Sequence, residues 1–96
     1  MAGAAAASHL VVVFLDDDLL AFNRVIGVVR RRNLPVSGIR VDHPSPHGNG
    51  NSAGGKLRFS FYIQADEGHA ERLRLQLEKA YGVKSVAVSN TSEVVS

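Results

Sequence analysis

A chain of 96 residues with 45% apolar side chains has material for one domain, and a domain of that size leaves much surface exposed, so self-association is a natural supplement. The absence of cysteine excludes a disulfide framework and a thiolate metal site, which fits a reducing compartment and predicts a cytoplasmic protein. A net charge of +2 from 11 Lys and Arg against 9 Asp and Glu argues against a nucleic-acid partner, and no apolar run approaches the roughly 20 residues that span a bilayer, so no membrane partner is expected.

Residues 1–8 are Ala-rich without the basic start of a signal peptide and read as a disordered tail. Residues 9–15 (HLVVVFL) form a nearly continuous apolar run, rich in β-branched side chains, which predicts a central strand. Asp16, Asp17 and Asp18 then supply N-cap chemistry, and Leu19, Phe22, Val25, Ile26 and Val29 recur at helical spacing. The result is an amphipathic helix over residues 18–32 whose last turn sets Arg30, Arg31 and Arg32 against the helix dipole. Gly27 inside it costs about 1 kcal/mol against Ala, and a close approach of helix to sheet is the expected reason for it. Asn33 suits a left-handed helix end, and Pro35 prevents continuation.

In residues 36–43, Ile39 and Val41 alternate with Gly38, Arg40 and Asp42, the pattern of a half-buried strand, and Pro35 at its entry assigns it to an edge. Residues 44–55 (PSPHGNGNSAGG) hold almost no apolar side chain and are expected to be a mobile surface loop. A third strand over residues 56–65 alternates Leu57, Phe59, Phe61 and Ile63 with Arg58, Ser60, Tyr62 and Gln64. A second helix over residues 67–81 carries Ala70, Leu73, Leu77 and Ala80 on one stripe, with Gly82 as its closing glycine, and residues 83–89 return to alternation before the tail at 90–96. The order βαββαβ predicts an α+β, ferredoxin-like domain over residues 9–89, with four antiparallel strands, both helices on one face, and the first and third strands in the centre.

Candidate chemistry is sparse. Consecutive aspartates lack the alternation and mid-loop glycine of a calcium loop, so capping is the stronger reading. His43 and His47 flank a Pro-rich turn, yet a closed zinc site needs four ligands and only His9 and His69 remain as further imidazoles. No histidine has an evident nucleophile to activate, and no catalytic residue is assigned. The strand around Arg58-Phe59-Ser60-Phe61-Tyr62-Ile63 has the look of an RNA-recognition module, but Phe59 and Phe61 belong to the helix-facing side, leaving only Tyr62 on the open face.

The stretch LDDDLLAFNRVIGVVRRRNLPVSGIRV, residues 15–41, resembles the ACT domain of acetolactate synthase small subunits. Asn23-Arg24-Val25-Ile26-Gly27 matches that family's helix core, and Arg32-Asn33 stands where the family has an Arg-Gly pair. The resemblance implies a non-catalytic accessory subunit that forms a homodimer and activates the catalytic large subunit in branched-chain amino-acid synthesis, where thiamine diphosphate, magnesium and flavin belong to the partner. It also implies an amino-acid effector site, between the turn before the first helix and the start of a neighbouring protomer's second strand. The corresponding positions are Asp17, Leu20, Pro35 and Val36. They depart from the family's turn asparagine and glycine and its strand asparagine in a way that implies insensitivity to valine. Leu20 crowds the helix start, Asp17 repels a carboxylate, and Pro35 lacks an amide. The dimer would pair the edge strand of Val36, Gly38 and Arg40 with its two-fold mate. Two other readings are a free-standing ACT module sensing another small molecule, and an RNA-binding domain using the open sheet face.

Overall fold

The computed structural model describes residues 7–43 and 56–91. The expected mobile loop at 44–55 lies outside the described residues, as do residues 1–6 and 92–96 of the two tails. Six elements follow in the expected order: β1 (Ala7–Asp16), α1 (Leu19–Arg32), β2 (Val36–Asp42), β3 (Lys56–Ala65), α2 (Glu67–Glu78) and β4 (Val83–Asn90). The four strands form one antiparallel sheet in the order β2-β3-β1-β4. The two most apolar strands are central, because only a central strand has both its edges covered by neighbours. The architecture is ferredoxin-like.

Strand alternation divides β1 and β3 between two faces. Val11, Val13 and Leu15 from β1 and Leu57, Phe59, Phe61 and Ile63 from β3 meet Ala21 and Val25 of α1 and Ala70, Leu73 and Leu77 of α2 in a single core. Phe59 anchors it, edge-on to Phe22 at 5.3 Å and tilted against Phe61 at 5.0 Å between ring centres, geometries that aromatic quadrupoles favour.

Local chemistry sets the ends. Asp18 caps α1, its Oδ1 accepting from the Leu20 N–H at 2.9 Å, and Asn33 closes the helix in the left-handed region at φ 56°. Asp66 caps α2, accepting from the His69 N–H at 2.8 Å.

Four expectations are corrected. The second helix stops at Glu78 rather than Tyr81: Lys79 is its C-cap, and the chain turns through Ala80 and Tyr81. Gly82 therefore does not cap the helix; at φ +83° it forms the turn into β4, where an added Cβ would stand 2.5 Å from the Ala21 Cβ. The close approach to α1 belongs to this glycine and not to Gly27, whose added Cβ would meet nothing within 4 Å among the described residues. Finally, β2 is not half-buried. Neither helix packs substantially on it, and Ile39 and Val41 are 58% and 44% exposed. Its ladder with β3 is also broken between Ser37 and Arg40, where Gly38 at φ +60° makes room for the Tyr62 ring.

Candidate functional site

Three consecutive carboxylates follow β1, and the fold sends each to a different partner. Asp16 pairs with Lys84 at 3.5 Å while its N–H donates to the Gly82 carbonyl, tying the turn to β4. Asp17 reaches the other way and meets His43 Nε2 at 3.1 Å, beyond the end of β2. Asp18 turns inward to the helix: besides the Leu20 amide held by its side chain, its carbonyl accepts from the Phe22 N–H at 3.0 Å. The positive end of α1, where an effector carboxylate would dock, is thus occupied by the chain's own carboxylate. Sequence reasoning placed the anion-repelling charge on Asp17 alone; the capping aspartate is the more direct obstacle.

Beside this turn, between α1 and the far ends of β2 and β3, lies a cleft of about 190 Å³ lined by Asp17, Asp18, Leu19, Phe22, Val41 and Leu57. Its walls are apolar and its rim anionic. Leu20 is not among these residues and is 48% exposed. Pro35 and Val36 lie at the other end of α1, a helix of 14 residues and so about 21 Å long. There the Pro35 carbonyl accepts from the Gln64 N–H at 3.1 Å and Val36 faces Ile63. One chain therefore does not bring Asp17 and Leu20 together with Pro35 and Val36.

The flank shared by α1 and β2 has a distinct character. Leu19 is 73% exposed, and with Ile39 and Val41 it leaves an apolar side beside the free β2 edge. Of the three positions expected to mark that edge, Val36 is half-buried, Gly38 lies within the break in the ladder and Arg40 borders it.

Among the described residues no group of three or more His, Asp or Glu is placed to hold a metal ion. His43 is held by Asp17, His69 Nδ1 lies 2.9 Å from Asp66 Oδ1, His9 is buried in β1, and His47 is outside the described residues. On the face away from the helices, Arg58 forms a two-pronged contact with Asp42 at 3.0 and 3.2 Å, and this guanidinium holds the Asp42 carboxyl below the ordinary carboxylate range. Tyr62 is joined on that face by Phe14, which the sequence reading did not place there. Phe14 stands opposite Arg58, four positions along β3 from Tyr62, or about 13 Å, so the two rings make no continuous stacking platform. Among the described residues no helix is long and apolar enough to cross a membrane.

No family model matches the sequence, and no curated protein matches it. Solved structures do resemble it. The chain is similar to the ACT domain of GTP pyrophosphokinase from Chlorobium tepidum, with a TM-score of 0.69 and 17% identity over 86% of this chain and 97% of that one. It is also similar to the C-terminal domain of the MgtC protein from Mycobacterium tuberculosis, with a TM-score of 0.70 and 14% identity over 100% of this chain and 99% of that one. At such identities the likeness shows the fold alone, the ferredoxin-like arrangement described above.

Proposed function

We propose that this chain is a non-catalytic regulatory module of the ACT type that works as a two-fold dimer and controls an enzyme it binds. The observation that carries the reading is the unfinished α1–β2 flank, with Leu19, Ile39 and Val41 exposed on an ACT-type fold. A free strand edge offers unpaired backbone groups to a symmetric copy, and apolar side chains beside it supply burial. Because the ladder is broken at Gly38, side-chain contact along the flank, more than a continuous inter-subunit ladder, holds such a dimer. Dimerisation would bring the β1–α1 turn of one copy near the β2 start of the other, which a single chain keeps about 21 Å apart.

The enzyme favoured by the resemblance over residues 15–41 is acetolactate synthase, with this chain as its activating small subunit. Purified catalytic subunit assayed with and without the chain tests this: a severalfold rise in acetolactate formation together with co-elution is expected, and no change in either measurement rejects the assignment. A second reading, a sensor of another small molecule, is favoured by the cleft at the α1 start. Its apolar walls and its Asp17 and Asp18 carboxylates suit a ligand with an apolar body and a cationic end.

A further inference from the structure

β1 is apolar on both of its faces, and only one face is used by the core. Val11, Val13 and Leu15 are buried against the helices; Leu10, Val12 and Phe14 alternate with them and line the opposite face, half-buried by the neighbouring strands. The outer side of an antiparallel sheet ordinarily alternates to polar residues, and an apolar run on a central strand is the mark of a strand covered on both sides. Across from this column β3 presents Arg58, Ser60 and Tyr62, and β4 presents Ser85, Ala87 and Ser89. One side of the column is therefore a ridge of long side chains and the other a hollow of small ones.

We infer that this open face docks a second copy of the chain, back to back, about a two-fold axis running along β1. That axis lays β1 on β1 and β3 of each copy over β4 of the other, so the Arg58 and Tyr62 ridge enters the Ser85, Ala87 and Ser89 hollow twice. Such mutual fit is what an isologous interface requires. Charge permits it: Arg58 is bonded to Asp42 and Lys84 is paired with Asp16, Lys56 stands opposite Asp16 at the end of the column, and Arg40, opposite Ser60 on β2, lies outside the three strands that overlap. Strands about 4.8 Å apart with residues about 3.4 Å apart give the face roughly 500 Å² on each copy, or about 1,000 Å² in the pair, near the lower bound for a specific interface. The contact is accordingly concentration-dependent. It is separate from the α1–β2 flank: its axis runs along β1 while the flank contact lies at the β2 edge of the sheet, so the two contacts together extend the assembly beyond a dimer.

Sedimentation velocity of the full chain through the micromolar range tests the inference, with Ala87→Glu filling the hollow and Val41→Lys disrupting the flank. The expected result is an assembly larger than a dimer, which either variant cuts to a dimer and the two together to a monomer. Ser89→Glu, at another point of the same hollow, replaces Ala87→Glu if circular dichroism shows that variant unfolded. A mass unchanged by the hollow variants overturns sheet-face docking, whatever Val41→Lys does. A mass halved by the hollow variants alone upholds it and overturns the flank dimer instead, and a monomeric wild type overturns both.

Discussion

Two glycines show how far a single residue can be read from sequence. Gly27 and Gly82 both break an apolar pattern, and close approach was the natural reason for the first; the structure gives that reason to the second. What separates them is which atoms lie across the gap, a tertiary fact that local spacing does not encode. Opposite outcomes follow for the same substitution. Gly27→Ala adds a methyl where nothing among the described residues lies within 4 Å and removes a helix-interior glycine, so it should stabilise by about 1 kcal/mol, or raise the melting temperature by about 4–8 °C. Gly82→Ala would force a left-handed φ of +83° on a side chain 2.5 Å from Ala21, so a loss of about 2 kcal/mol or more is expected. Thermal melts of both variants check the pair, and a stable Gly82→Ala would refute the packing described at that turn. His9 poses a related question: it is only 3% exposed and neither ring nitrogen has a hydrogen-bond partner among the described residues. Unmatched buried polar atoms cost stability, so His9→Leu, close in volume, should raise the melting temperature.

At the level of elements, the central strands and both helices were legible because each announces itself locally: an apolar run for β1, strict alternation for β3, the aspartates ahead of α1 and the apolar stripe of α2. The end of α2 was not. Apolar spacing continues through Ala80, and only the need to turn Gly82 beneath Ala21 ends the helix at Glu78. The exposure of β2 was equally hidden, since Ile39 and Val41 have the composition of a covered strand and no sequence signal says that both helices sit over other strands. The cap can be tested directly, with Asp18→Ala expected to cost about 1 kcal/mol in a denaturant titration. Acid sensitivity belongs to the same scale. Asp42 is held low by the Arg58 guanidinium, and Asp66 by the amide and then the ring of His69. A carboxyl lowered on folding binds fewer protons folded than unfolded, so its stabilisation is complete above the ordinary value of about 3.9 and disappears as pH falls through the lowered one. Asp42→Asn should therefore weaken the protein at pH 7 and leave a shallower loss of the urea midpoint from pH 5 down to pH 3. An acid limb as steep as that of the wild type would show that the Arg58 contact contributes nothing.

For the whole molecule, the effector site that the resemblance implies was legible only as a set of positions, because the resemblance divides it between two copies. Asp17 and Leu20 stand at the start of α1 and Pro35 and Val36 beyond its end, so in the proposed dimer an amino acid held between them would lie across the two-fold axis and be linked to dimerisation. Valine is the effector that the resemblance brings forward, and three features act against it together. The helix-start amide of Leu20 is taken by Asp18, Asp17 adds negative charge where a carboxylate would approach, and Pro35 has no N–H while its carbonyl is already bonded to Gln64. A hydrogen bond to a charged group is worth roughly 1.5–3 kcal/mol, so the loss of two weakens affinity by about a hundredfold or more. Calorimetry on the assembled protein should accordingly register no valine binding at concentrations that saturate a valine-sensitive small subunit. Leu20→Gly, Asp17→Asn and Pro35→Asn combined should restore part of it, although Asp18 still fills the helix start. Tight binding by the unaltered chain would mean that Asp18 releases its cap to admit the ligand, and Asp18→Asn would then tighten valine further, by removing the competing charge without removing the cap.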